Sequence, residues 1–384
     1  MPFDISEALV EELTHIRHHL HANPELSGEE KNTAQFICKK LHEYGAHKVV
    51  ANIGGYGIIA VYEGKEKGPN IGIRADFDAL PIEDKIDQSY RSNYHNVGHK
   101  CGHDGHTTCA LGVAAVLKNN PPQKGKVTFI FQPAEETGMG ARSMMNDEKF
   151  NEYKPDFLFG QHNLPKAEKK RIYVKPKTFC AASIGMSVEF TGKTSHAAEP
   201  DKGRSPALAL ADMLHKAKTL NEDPTVFKDF TLITPIHAKL GEVAFGTTPG
   251  KAVVKMTLRS YKNRDLERAI EKMATYVKFL SNEYELSYAI DYTDHFEANK
   301  NDKAAYDKFI HALEEAAINF EELKEPIRWS EDFGHFSGIM KTCFFAVGSG
   351  EETAPLHDEK YDYPDEITPS AIRAFLAVLK THNF

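Results

Sequence analysis

The sequence predicts an α/β protein interrupted by a smaller α+β domain, and three observations predict it. Short, continuously apolar runs alternate with helical patterns: Ile58–Tyr62, Ile71–Arg74, Val127–Phe131, Phe157–Gly160 and Thr342–Val347. Such runs suit a largely buried, partly parallel sheet. Residues able to bind metals or move protons (Asp76, Glu135, Glu136, His162 and His357) fall at or just past the ends of these runs. In open α/β sheets the site forms outside the carboxyl ends of the strands. Finally, the middle of the chain reads β-α-β-β-α-β, the order of a ferredoxin-like split βαβ unit.

The elements follow in order. Ser6 caps a helix reaching His21, with Leu9, Leu13, Ile16 and Leu20 as its apolar stripe. Of its histidines, His15, His18, His19 and His21, most read as lying on a solvated or half-buried face. A second helix spans 28–44, and a third runs on from His106 to the stop at Asn119-Asn120-Pro121-Pro122. The middle unit has strands at 184–192, 230–240, 251–261 and 286–292, with helices at 205–220 and 265–283, and forms an inserted domain over 180–294. Residues 1–179 and 295–384 make the other domain. A helix over 369–379 closes the chain.

Composition limits the function classes. Of 384 residues 41% are hydrophobic, enough for a sizeable core, and the net charge of −8 argues against nucleic acid or an anionic membrane as partner. No apolar run approaches the ~18–20 residues needed to span a bilayer. The opening Met1–Glu7 lacks a basic segment followed by an apolar one, so no signal peptide is expected. Five scattered cysteines fit a reducing compartment, and the expected location is cytoplasmic.

The densest chemistry lies in Val97–His106, which packs a thiol, three imidazoles and a carboxylate into ten residues. Cys and His suit zinc and similar divalent metals. Glu135-Glu136 adds a pair of carboxylates on an irregular segment. One can bind a metal while its neighbour takes a proton from water that the metal has acidified towards pKa ~7. The alternative is an ordinary solvated pair at a helix start; the position after a strand, between Gln132-Pro133 and Thr137-Gly138, favours the site.

Cys101-Gly102-His103-Asp104-Gly105-His106, Gln132-Pro133-Ala134-Glu135-Glu136, Gly160-Gln161-His162 and Leu356-His357 resemble motifs of the co-catalytic metallopeptidase family of aminoacylase and carboxypeptidase G. Within it they resemble the amidohydrolase branch of hippurate hydrolases, indole-acetyl-amino-acid hydrolases and N-acetyldiaminopimelate deacetylases. His15–Glu25, Arg74–Pro81, Gly192–His196 and Glu331-Asp332-Phe333 add further matches, in the family's order over nearly the whole chain.

The resemblance implies a zinc-exopeptidase-like catalytic domain with a mixed, largely parallel sheet, carrying an inserted ferredoxin-like lid and dimerisation domain. It implies two divalent metal ions per chain (zinc, manganese, cobalt or nickel) held by Cys101, His103, Glu136, His162 and His357. Glu135 would be general base and then acid. Asp76 and Asp78 would orient the ligands, and His106 would only start a helix. His196 would help polarise the scissile carbonyl, the alternative being a hydrogen-bonded turn histidine. Arg259 would receive a substrate carboxylate, the alternative being a surface ion pair. A homodimer or higher homo-oligomer through the lid domain is also implied.

Two divalent metals with one thiolate, one carboxylate and a hydroxide keep a small positive balance, which favours an anionic group beside the scissile bond. The expected reaction is therefore hydrolysis of the amide of an N-acyl amino acid, with a dipeptidase or aminopeptidase as the alternative. A non-catalytic metal-binding protein is disfavoured by the presence of Glu135 together with all five ligands. Relatives carry an Asn before a Val-Ile-Pro run on the lid; here Gly246 stands in that place within Phe245–Pro249, so the acyl group and amino acid stay open.

Overall fold

The computed structural model describes residues 5–383; the first four residues of the opening segment lie outside them. The chain divides into two compact units. The first runs to Phe179, returns at Asn299–Pro326 and resumes at Asp332; the second is Cys180–Ala298 with Ile327–Glu331. Residues 295–298 and Ile327–Glu331 thus group with the second unit, beyond the boundary at 294 expected from sequence.

In the first unit, Ser6 caps α1 (Glu7–Ala22) by accepting from the Leu9 N–H at 3.3 Å, which satisfies one of the donors a helix start leaves unpaired. The buried stripe of α1 holds Leu13, Ile16 and Leu20, but also Arg17 and His21. His21 is therefore an exception to the expected solvated histidine face. It is buried because Asp104 and Asp84 engage its two ring nitrogens at 2.8 and 3.1 Å. After α2 (Lys31–Glu43) come β1 (Lys48–Ile53), β2 (Gly57–Glu63), β3 (Glu66–Asp76), α3 (His103–Asn119) and β4 (Lys124–Gln132). Two short helices, α4 (Gly140–Asn146) and α5 (Phe150–Tyr153), lead to β5 (Phe157–Pro165), β6 (Ile172–Val174) and β7 (Lys177–Cys180).

The second unit contains β8 (Ala182–Thr191), α6 (Ala207–Asn221), β9 (Thr231–Leu240), β10 (Lys251–Ser260), α7 (Asn263–Glu283) and β11 (Ser287–Phe296). Its strands lie in the order β11-β8-β10-β9, all neighbours antiparallel, which is the ferredoxin-like arrangement. Alternation along β8 explains the packing: Ile184, Met186, Val188 and Phe190 share one face and pack in one core with Met213, Met273 and Val277 of the two helices. β9 is an edge strand and exposes Ile236 and Leu240.

The chain returns to the first unit with β12 (Asn299–Asn301), α8 (Lys303–Glu315), β13 (Phe320–Glu322), β14 (Lys341–Gly350) and α9 (Thr368–Asn383). The large sheet runs β1-β2-β4-β3-β5-β14-β6-β13. Its centre, β4-β3-β5-β14, is parallel throughout, while β1, β2 and β6 join antiparallel. α3 is buried from His103 to Leu117 and packs against α1, α9 and β3. A Cβ on Gly112 would meet Ile372 at 2.4 Å and Leu13 at 2.9 Å, so the three helices approach this closely only at a glycine. Truncating Leu111 in this core costs about 2–5 kcal/mol. Among the described residues, no helix is long and apolar enough to cross a membrane.

Candidate metal centre

The four parallel central strands all end on one edge of the sheet. β3 delivers Asp76 and then Asp78, β4 leads into Glu135-Glu136, β5 carries His162 near its end, and β14 leads to the loop with His357. Cys101 and His103 reach the same edge from the start of α3. The turn there needs Gly102: its φ is +96°, and a Cβ would lie 2.3 Å from Asn163 Oδ1.

Asp78 organises the buried side of the cluster. Its Oδ1 lies 3.1 Å from His103 Nδ1, and its backbone oxygen 3.0 Å from the same atom. Nδ1 therefore carries a proton, and Nε2 is the nitrogen that faces the cluster. Asp78 Oδ2 accepts from the Ser27 hydroxyl at 2.6 Å and the Glu136 N–H at 3.1 Å. His162 is fixed the same way by a backbone partner, with Nδ1 2.8 Å from Asn163 O. Its Nε2 faces Cys101 Sγ at 3.4 Å. Burial and then the neighbouring His106 hold the His162 pKa well below the ordinary value, so the ring is neutral.

The remaining donors close the cluster. His103 Nε2 is 3.7 Å from Glu136 Oε1, and His357 Nε2 is 3.6 Å from Glu136 Oε2. The donor atoms of Cys101, His103 and His162 lie within 4.8 Å of one another, as do those of Cys101, Glu136 and His357. The five side chains are thus brought to one place, with His357 as the exposed member.

Glu135 is held differently. Its Oε1 accepts from the Asp332 N–H at 3.2 Å, while Oε2 stands 4.0 Å from His103 Nε2. Asp332 is itself locked by Arg74 Nη2 at 2.9 Å, Gln132 Nε2 at 2.7 Å and the Ala141 N–H at 2.9 Å. Ala134, just before the pair, sits at φ +51° and donates its N–H to the buried Glu30 at 2.8 Å. This left-handed residue turns the chain from the end of β4 into the segment that carries both carboxylates.

The donor set fits a divalent cation. His103 Nε2 and Glu136 Oε1 are buried without a hydrogen-bond partner among the described residues, which is costly unless another group engages them. Two nitrogens ~2.1 Å from a tetrahedral metal stand about 3.4 Å apart, close to the separations found here. The electrostatics agree. Burial alone would lower the His103 pKa, but Asp76, Asp78 and Glu136 raise it well above the ordinary value. Burial pushes Glu136 up to about 7. The cluster therefore carries an excess of acid that calls for positive charge.

Comparison with known proteins agrees with this arrangement. Residues 72–381 match the model of peptidase family M20/M25/M40. The chain belongs to this family. Its similarity to the hippurate hydrolase of Campylobacter jejuni is 32% identity over 365 residues, covering 94% of each chain. With an N-acetyldiaminopimelate deacetylase of Listeria innocua it shares 29% identity over 384 residues, covering 97% of this chain and all of that one. Among solved structures, the Bacillus subtilis YXEP protein, described as a dinuclear metal-binding peptidase from the M20 family, has the same fold. The TM-score is 0.83 at 24% identity, covering 97% of this chain and 98% of that one.

In this M20-family chain, Asp76 and His106 form a separate pair behind the donors. Both nitrogens of His106 are engaged, Nδ1 by Asp76 Oδ1 and Nε2 by Asn163 Oδ1, each at 2.6 Å, so neither is left for a metal. His106 does more than begin a helix, as the sequence reading had it: it ties β3 to β5 beneath the cluster. Burial alone would raise the Asp76 pKa, but Arg74, His103 and His106 hold it well below the carboxylate range.

His196 and Arg259 belong to the second unit. His196 is exposed, and its Nδ1 accepts from the Ala198 N–H at 3.1 Å, a turn contact that occupies one ring nitrogen. Arg259 donates to Ser330 Oγ at 3.0 Å and Arg328 O at 3.3 Å, and among the described residues no carboxylate lies within ion-pair distance of it. The surface ion pair weighed from sequence is therefore absent. Gly246 accepts from the Ala197 N–H at 3.0 Å and has open space where a side chain would stand. Sequence reading missed the supporting roles of Ser27, Glu30, Gln132, Asn163 and Asp332. For Gln132 and Asn163 a signal existed, since both are polar residues in otherwise apolar strand runs, and such residues need a buried partner.

Proposed function

We propose that the chain hydrolyses the amide bond of N-acyl amino acids at a centre of two divalent metal ions. The observation that carries this reading is the division of labour between adjacent carboxylates. Glu136 faces Cys101, His103 and His357, whereas Glu135 accepts the Asp332 N–H with Oε1 and has Oε2 4.0 Å from His103 Nε2. The names of the hippurate hydrolase and deacetylase relatives support the substrate class.

Cys101, His103, Glu136, His162 and His357 would hold the metals, and Asp78 would fix the tautomer of His103. Bound divalent ions supply a Lewis acid for the amide carbonyl and acidify the attacking water. Glu135 takes the proton of that water and returns it to the leaving nitrogen. Its hydrogen bond from the Asp332 N–H would hold the carboxylate in place for that transfer. Zinc, manganese, cobalt and nickel all suit mixed S/N/O donors.

For the second unit the proposal is chemical. The second ring nitrogen of the exposed His196 can donate to a carbonyl, and the guanidinium of Arg259, with no carboxylate at ion-pair distance among the described residues, suits a substrate carboxylate. The exposed edge strand β9 suits pairing with a second copy of the chain. Five free cysteines support a cytoplasmic location.

A panel of acetyl- and benzoyl-amino acids and dipeptides, assayed with each metal added to stripped protein, tests the reading. Turnover of N-acyl amino acids is expected. Cleavage of dipeptides alone would transfer the site to peptidase chemistry.

A further inference from the structure

Four of the five donors stand on or beside regular elements; His357 does not. No helix or strand covers residues 351–364 among those described, the His357 side chain is about half exposed, and its backbone is left-handed at φ +66°. A non-glycine residue in that region is strained and persists only where its surroundings hold it. Something must fix this loop if its imidazole is to act as a ligand.

One residue grips the loop at two points. The His357 N–H donates to the Lys100 carbonyl at 2.8 Å. The Lys100 ammonium, fully buried, donates to the Tyr361 carbonyl at 2.9 Å. The ammonium also pairs with the buried Asp84, which in turn accepts from the Ser92 N–H at 2.8 Å and meets His21 at 3.1 Å. The anchor is therefore fixed from behind, and it cannot swing without stranding a buried charge. Lys100 is also the residue immediately before Cys101.

We propose that Lys100 is a positioning residue that clamps the His357 loop onto the Cys101 turn, and so sets the affinity of one of the two metal positions. The proposal rests on the ligand set given under the proposed function. The effect is selective by geometry. His357 groups with Cys101 and Glu136, whereas the trio Cys101, His103 and His162 is buried and held by Asp78 and the Asn163 backbone. Loosening the loop removes a ligand from the first trio and leaves the second intact. A buried salt bridge with a purely structural role would weaken both positions or neither.

The test compares Lys100→Met and His357→Ala with the parent protein by metal analysis and by titration of stripped protein with zinc against a chelating dye. Hydrogen exchange of peptides covering 355–361 is followed alongside. For Lys100→Met, one zinc is expected to bind about 10–100-fold more weakly, the scale of losing a group that orients a ligand, while the other keeps its affinity. The 355–361 peptides should exchange faster. Should this variant fail to fold, Lys100→Met combined with Asp84→Asn removes the ammonium together with its buried carboxylate partner, and the same result is expected. Two zinc ions bound with parent affinity, or unchanged exchange over 355–361, overturns the clamp. If His357→Ala itself keeps both zinc ions at parent affinity, the ligand set fails instead.

Discussion

Asp78 holds His103 by Nδ1, 3.1 Å from its Oδ1, while its other oxygen holds the backbone of Glu136 at 3.1 Å. One carboxylate thus orients two of the donors, through a ring on one side and a peptide on the other. Asp78→Asn keeps the shape but removes the charge, and its amide has one acceptor oxygen, so it cannot accept from His103 on one side and from Ser27 and Glu136 on the other at once. Metal affinity should fall about 10–100-fold, with the fold retained. Chelator competition on the folded variant measures this, and parent affinity would show that Asp78 is dispensable.

The turn carrying Cys101 and His103 gives a second prediction. Gly102→Ala places a methyl group 2.3 Å from Asn163 Oδ1 on a left-handed residue. The strain costs of order 1–3 kcal/mol, and relief requires Asn163 to move, which disturbs its contact with His106. Denaturant unfolding should show the loss of stability, and metal analysis should show a lower metal content. A neutral substitution would mean that the turn can relax without cost.

Oxidation supplies a third. Cys101 lies within the donor cluster and keeps 8% exposure, whereas Cys109, Cys180 and Cys343 are fully buried, and the partly exposed Cys38 is no member of the cluster. A sulfenic or sulfinic acid is a poor substitute for a thiolate ligand. Mild peroxide should therefore release metal and activity in step, with mass spectrometry placing the added oxygen on Cys101. Activity lost while all metal stays bound would remove Cys101 from the ligand set.

Much of this architecture is legible in the sequence because it is written in local patterns. The apolar runs of β4, β5 and β14 mark strands buried on both faces, and the polar residues at their ends mark the edge where the site forms. β1 lacks such a run because it lies at the sheet edge and is only partly buried. α8 was likewise unread. Contacts between distant segments were invisible for a different reason. Nothing local to Asp332 announces that its amide meets Glu135, 197 positions away. Nor does Lys100 announce Tyr361. His21 misled because helical periodicity places it on the buried stripe while its polarity suggests solvent; only Asp84 and Asp104, far along the chain, decide between them.

That same histidine gives a pH prediction. Burial alone would lower its pKa, but the hydrogen bonds it donates to Asp104 and Asp84 raise it from an ordinary 6.5 to about 9. The folded chain therefore prefers protonated His21. Its contribution to stability is complete below pH ~6.5 and is lost as the pH rises through about 9. Denaturant unfolding at pH 6.5 and above 9 should show a larger decline for the parent protein than for His21→Gln. Equal declines would mean that His21 stays neutral.

The central claim is that Glu135 moves the proton while its neighbour Glu136 holds metal. The most direct measurement is metal content and turnover of an N-acyl amino acid for Glu135→Gln. The side chain keeps its size and can still accept from the Asp332 N–H, but it cannot take a proton. Metal content should match the parent protein, and turnover should fall by about 10²–10⁴-fold, the usual worth of a general base. Near-parent turnover with full metal would contradict the account.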